Sequence, residues 1–190
     1  MPTPEVYVSI DVETTGPTPH RHAMIALGAC LVTRPDDGFY VELRPDRDDV
    51  DPDALAVSGL SLERLRDEGA DPAAAMRAFV DWVGQVTPEG CRPVFTAFNA
   101  PFDWMFVHDY LLRYVGENPF GHSALDVKSY YMGLARVPFG ATGFRHAAHA
   151  YGLPAGLSHN ALQDARDQAR LFRRMTGVPD EPSARLAPRS

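Results

Sequence analysis

Two acids two residues apart, Asp11 and Glu13, close the first hydrophobic run of the chain and lead into Thr14, Thr15 and Gly16. A third acid, Asp103, ends the string Asn99, Ala100, Pro101, Phe102, Asp103, and a fourth, Asp164, follows His159 by five positions. Residues two apart on a strand share a face, so Asp11 and Glu13 project together. Two carboxylates about 4 Å apart repel by roughly 4 kcal/mol at an effective dielectric near 20. Four in one cleft would raise each other's pKa values and require a compensating cation. Oxygen-only ligation suits Mg²⁺ or Mn²⁺. Two such ions, typically about 3.5–4 Å apart, activate a water and stabilise a departing oxygen. The pattern therefore predicts a site for cutting phosphodiester bonds.

Plainer roles account for the neighbouring residues. Asn99, ahead of Ala100 and Pro101, reads as a helix N-cap, which puts Asp103 in the first helical turn. Phe102 suits core packing or a face on which a base stacks. His159, just before a helix that carries Asp164, is placed to serve as a general base. His20, His22, His108, His122, His146 and His149 read as ordinary surface histidines.

The positioning elements follow from hydrophobic periodicity. Residues 6–12 are apolar nearly throughout and read as a central strand. Strands at 24–33 and 39–43 flank the turn signals of 35–38 and form an antiparallel hairpin. Helices are predicted over 61–67, 72–86, 101–115, 129–135, 144–151 and 161–175, with strands at 92–98 and, briefly, 125–127. The order of elements indicates one α/β domain with a mixed sheet, ending near residue 178. Residues 179–190 are polar and proline-rich and read as a disordered tail.

The chain has 190 residues, of which 45% are hydrophobic, enough for a single sizeable core. No apolar stretch approaches the roughly 20 residues needed to cross a bilayer, and the N-terminus lacks the features of a signal peptide. A cytoplasmic location, with no membrane partner, is expected. Cys30 and Cys91 are too few for a zinc site or a disulfide framework, and Cys30 reads as a small buried hydrophobe. The net charge of −7 argues against a large duplex footprint and is compatible with a short single strand gripped at few phosphates. The acids of 46–53 read as a solvated loop. Of 18 basic residues, only Lys128 is lysine.

Asp11-x-Glu13, Asp103 and His159-x4-Asp164 resemble the three motifs of the DEDDh 3′→5′ exonucleases, a family that includes proofreading subunits, RNase T and oligoribonuclease. The resemblance spans residues 5–176. It implies an RNase H-like fold, a mixed five-stranded sheet flanked by helices in which the first three strands are antiparallel. It also implies that Asp11, Glu13 and Asp164 hold one metal, that Asp11 bridges to a second with Asp103 assisting, and that His159 takes the proton of the attacking water. Val12, Thr14, Leu60 and Phe102 would contact the terminal nucleotide, the last two as a clamp. Ser58 and Phe98 stand where the family often has histidine, which leaves substrate preference open. A homodimer is implied by the likeness to RNase T and oligoribonuclease.

The leading expectation is a two-metal, Mg²⁺- or Mn²⁺-dependent 3′→5′ exonuclease acting on single-stranded DNA or RNA 3′ ends and releasing 5′-mononucleotides. Two further readings stay open: a nucleic-acid-binding scaffolding subunit with weak activity, and a proofreading partner of a DNA polymerase or repair complex.

Overall fold

The computed structural model describes residues 3–156 and 158–178, so the tail predicted at 179–190 lies outside the described residues. Five strands form one mixed sheet: β1 (Glu5–Thr14), β2 (Met24–Leu31), β3 (Gly38–Glu42), β4 (Arg92–Ala97) and β5 (Ala124–Asp126). Their spatial order is β3-β2-β1-β4-β5, with the first three antiparallel and β4 and β5 parallel to β1. This is the sheet expected of an RNase H-like fold.

Among the described residues seven helices cover it: α1 (Pro52–Ser58), α2 (Leu62–Glu68), α3 (Pro72–Val86), α4 (Ala100–Tyr114), α5 (Val127–Ala135), α6 (Phe144–Ala150) and α7 (Ala161–Thr176), with a 3-10 turn at Phe139–Ala141. The pleat divides β1 between two cores. Val8, Ile10 and Val12 face α3 and α4, joining Met76, Phe79, Phe95, Phe106 and Tyr110. On the other face, Cys30 and Val32 pack with Tyr131, Phe144, Ala165, Leu171 and Phe172. Cys30 is fully buried, as its setting in the sequence suggests.

Helix α7 lies close on β1 and β2 because Ala161, Ala165 and Ala169, four apart and all buried, give it a narrow contact stripe. Gly28 deepens the approach. A Cβ there would stand 2.2 Å from the backbone carbon of Ala161 and the backbone nitrogen of Leu162. Gly28 is the cross-strand partner of Asp11, so the missing side chain lets the first turn of α7 descend onto the acid-bearing end of β1.

Three local expectations are corrected. The acids at 46–53 are not a loose solvated loop. Asp51 caps α1 by accepting the Asp53 N–H at 3.0 Å, while Asp46 accepts hydrogen bonds from Tyr110, Tyr114 and Arg113. Asn99 precedes α4 but does not cap it through its side chain: its backbone is left-handed (φ 68°), and Asp126 Oδ1 accepts the Ala100 N–H instead, at 3.0 Å. His22 is not a surface residue. It is buried beneath Gly16, where a Cβ would meet its ring at 2.2 Å. The missing side chain of Gly16 thus makes room for His22.

Candidate active site

Strand β1 outruns its parallel neighbour. Pairing with β4 stops at Ser9, and the chain leaves β4 for α4 while β1 continues to Thr14. The Val12 N–H, beyond the paired segment, donates to Asp103 Oδ1 at 3.2 Å, so the first turn of α4 takes over where β4 ends. This bond closes one side of the cleft. The other side is closed by α7, whose first turn carries Asp164.

Carboxylate oxygens of Asp11, Glu13 and Asp164 all lie within 4.8 Å of one another. Asp103, almost fully buried, stands outside this trio but close enough for its charge to act on Asp11. Burial pushes the Asp11 carboxyl well above the usual carboxylate range, and the charges of Asp103, Glu13 and Asp164 push it further, against the hydrogen bond from Gln168. Burial, then the charge of Asp164, pushes Glu13 up to about 7. Asp103 is pushed up to about 8, with burial outweighing the N–H groups of Val12 and its own residue. Like charges held this close in a half-buried cleft fit a hard divalent cation, which restores the ionised form of every ligand.

The His159–Asp164 spacing has a local cause. Asn160 caps α7 by accepting the Gln163 N–H at 3.1 Å. Asp164, one turn in, reaches back over the cap. Its Oδ1 accepts from the Ser158 N–H and hydroxyl at 2.7 and 2.9 Å, and its Oδ2 accepts from the His159 N–H at 2.9 Å. His159 is left-handed (φ 55°) and exposed. Its imidazole has no hydrogen-bond partner among the described residues and stands outside the carboxylate trio.

The expected substrate contacts occupy different settings. Phe102 is half-buried beside Asp103, its ring 5.4 Å from that of Phe106. Leu60, also half-buried, packs against the small cluster of Ala23, Ile25 and Leu65 and follows the left-handed Gly59 that ends α1. Val12 is buried in the core, and the Thr14 hydroxyl donates to the Gly16 carbonyl at 2.9 Å, so neither side chain is free to contact a ligand.

Sequence reasoning missed Gln168. It is buried on α7, one turn beyond Asp164; its Nε2 donates to Asp11 Oδ1 at 2.6 Å and its Oε1 accepts the Phe98 N–H at 2.9 Å. Projecting the helix face forward four residues from Asp164 would have found it. Gly28 was missed as well, although a glycine inside an otherwise apolar strand is itself a sign of close backbone approach.

An RNase T-type exonuclease family model matches residues 8–172, which is nearly the whole described domain. The chain belongs to this exonuclease family. It is 43% identical over 169 residues to the 3′-5′ DNA exonuclease Cap18 of Escherichia coli, covering 89% of this chain and 90% of that one. To ribonuclease T of Marinobacter nauticus it is 28% identical, covering 92% and 87%. Among solved structures, the nuclease domain of 3′hExo, a DEDDh member bound to rAMP, has the same fold, with a TM-score of 0.74 at 17% identity over 90% of this chain and 92% of that one.

Proposed function

We propose that this exonuclease removes nucleotides one at a time from the 3′ ends of single-stranded DNA and releases 5′-mononucleotides. The observation that carries the reading is the convergence within 4.8 Å of Asp11 and Glu13 with Asp164, more than 150 positions away in the chain. Asp11, Glu13 and Asp164 would hold one divalent cation, and Asp11 and Asp103 would help hold a second. When bound, such a pair of Mg²⁺ or Mn²⁺ ions supplies a nucleophile at neutral pH and offsets charge on the scissile phosphate and the departing oxygen.

The protein's own part is placement and proton handling. The exposed imidazole of His159, anchored through its backbone to Asp164, takes the proton of the attacking water. The water oxygen bonds to phosphorus, the P–O3′ bond breaks, and the departing 3′ oxygen acquires a proton from solvent. Leu60 and Phe102 flank the terminal nucleotide, and the backbone at Val12 and Thr14 lies beneath it. The 43% likeness to a DNA exonuclease favours DNA over RNA.

The test is single-stranded DNA and RNA of one sequence, 3′-labelled, incubated with the protein and Mg²⁺ or Mn²⁺. Release of labelled mononucleotide is expected, faster from DNA, and lost in Asp11→Asn and Asp164→Asn. No shortening of either polymer rejects the activity; RNA degraded as fast as DNA rejects the preference.

A further inference from the structure

At the C-terminal edge of the parallel strands, α4 and α5 begin side by side. Asp126, the N-cap of α5, joins them: it accepts the Lys128 and Ser129 N–H groups of its own helix and the Ala100 N–H of α4. Lys128, in the first turn of α5, therefore stands next to the helix start that carries Asp103. Its Nζ lies 3.5 Å from Asn99 Oδ1 and 4.4 Å from the ring centroid of Phe139. No carboxylate lies within ion-pair distance of it among the described residues. Phe139 is 65% exposed, more than any other large hydrophobic side chain described.

These features have one chemistry in common. A lone exposed aromatic is ordinary, but this ring carries an ammonium over one face and is otherwise largely open to solvent. The chain's only lysine is held there by an amide oxygen and a π face, and neither neutralises its charge. A base stacking on an exposed ring with a cation beside its phosphate is the general grip on single strands. The position is continuous with the cleft through Asn99, the residue that leads into α4 and Asp103.

We propose that Lys128 and Phe139 form a subsite for the single strand upstream of the scissile bond, Lys128 binding a phosphate and Phe139 stacking a base. The subsite grips the chain that remains while its 3′-terminal nucleotide occupies the carboxylate cleft, and so deepens the reading given above, on which it rests. It also answers the acidic net charge, because it needs one cation at one phosphate and no basic footprint.

The test uses two substrates: a single-stranded DNA decamer, and the p-nitrophenyl ester of thymidine 5′-monophosphate, which has a scissile phosphate and no upstream chain. Phe139→Ala is expected to raise KM for the decamer about tenfold and to leave kcat and p-nitrophenyl ester hydrolysis unchanged, with Phe139→Trp restoring KM. Lys128→Ala is expected to raise the decamer KM and to reduce the slope of log KM against log salt by about 0.7, with Lys128→Arg restoring both. An unchanged decamer KM overturns the subsite, as does equal loss on both substrates. A change in oligomeric state of Phe139→Ala by sedimentation without a change in KM assigns the ring to a protein interface and overturns it too. A wild-type protein inert toward both substrates overturns the cleavage reading, and the subsite with it.

Discussion

Gln168 Nε2 donates to Asp11 Oδ1 at 2.6 Å, and the amide cannot turn over, because its Oε1 is held by the Phe98 N–H at 2.9 Å. One side chain thereby fixes the central carboxylate of β1 against the end of β4 and the first turns of α7. Partners that orient a metal ligand are worth about 10- to 100-fold in metal affinity. Gln168→Met keeps the volume and removes both bonds. It is expected to weaken Mn²⁺ binding at least tenfold by titration calorimetry and to lower kcat. Wild-type Mn²⁺ affinity in this variant would show that Asp11 needs no such support.

Gly28 sets how near α7 comes to the sheet. Gly28→Ala places a methyl 2.2 Å from the backbone of Ala161 and Leu162, so the helix must move or the fold must strain, at a cost of about 1–3 kcal/mol. Activity should fall more than stability does, because Asp164 moves with the helix. Gly84→Ala is the control. It sits exposed inside α3 with nothing within 4 Å, and should gain up to about 1 kcal/mol. Denaturant melts and turnover of both variants check the contrast; a silent Gly28→Ala contradicts it.

The acid cluster makes the metal-free protein sensitive to alkali. Glu13 and Asp103 have folded pKa values of about 7 and about 8, above their ordinary 4.5 and 3.8. Between roughly pH 4 and 8 the folded state therefore holds more protons than the unfolded state, and stability falls as pH rises through that window. Divalent metal displaces those protons, so the rise in Tm produced by Mg²⁺ over EDTA should grow from pH 5 to pH 8. Asp46 acts in the opposite sense on the acid side. Burial raises it, but bonds from Tyr110, Tyr114 and Arg113 outweigh burial and hold it below the ordinary range, so its contribution is lost as pH falls below that range. A Mg²⁺ effect independent of pH contradicts the first claim.

His159 touches the cluster through its backbone, so its ring is separable from metal binding. His159→Ala is expected to cut kcat about 10²- to 10⁴-fold and to leave Mn²⁺ affinity within about twofold of wild type. Unchanged turnover removes it from the role of base.

Much of this site was legible in the sequence because its logic is local. The two-residue spacing of Asp11 and Glu13 gives their shared face, and Pro72 after Asp71 marks the start of α3 to the residue. The spacing from His159 to Asp164 follows from a helix start. What stayed hidden depends on partners distant in the chain. Asp46 meets Tyr110 and Tyr114 across 64 and 68 positions, and Gln168 meets Asp11 across 157. Helix α1 has no counterpart among the predicted elements: the acids at 46–53 suggest a solvated loop, whereas Asp51 among them is the cap that starts the helix. Asn99 holds the N-cap position of α4 but its side chain does not cap, because Asp126, from β5, supplies the acceptor.

Asp11, Glu13 and Asp164, with Asp103, are expected to hold a pair of divalent cations at the 3′ end of a strand. Crystals soaked with Mn²⁺ and a 5′-mononucleotide, with data collected at the manganese absorption edge, test it directly. Two anomalous peaks on either side of an Asp11 carboxylate oxygen, both contacting the nucleotide phosphate, are the predicted result. Nucleotide bound with no manganese among these carboxylates would contradict it.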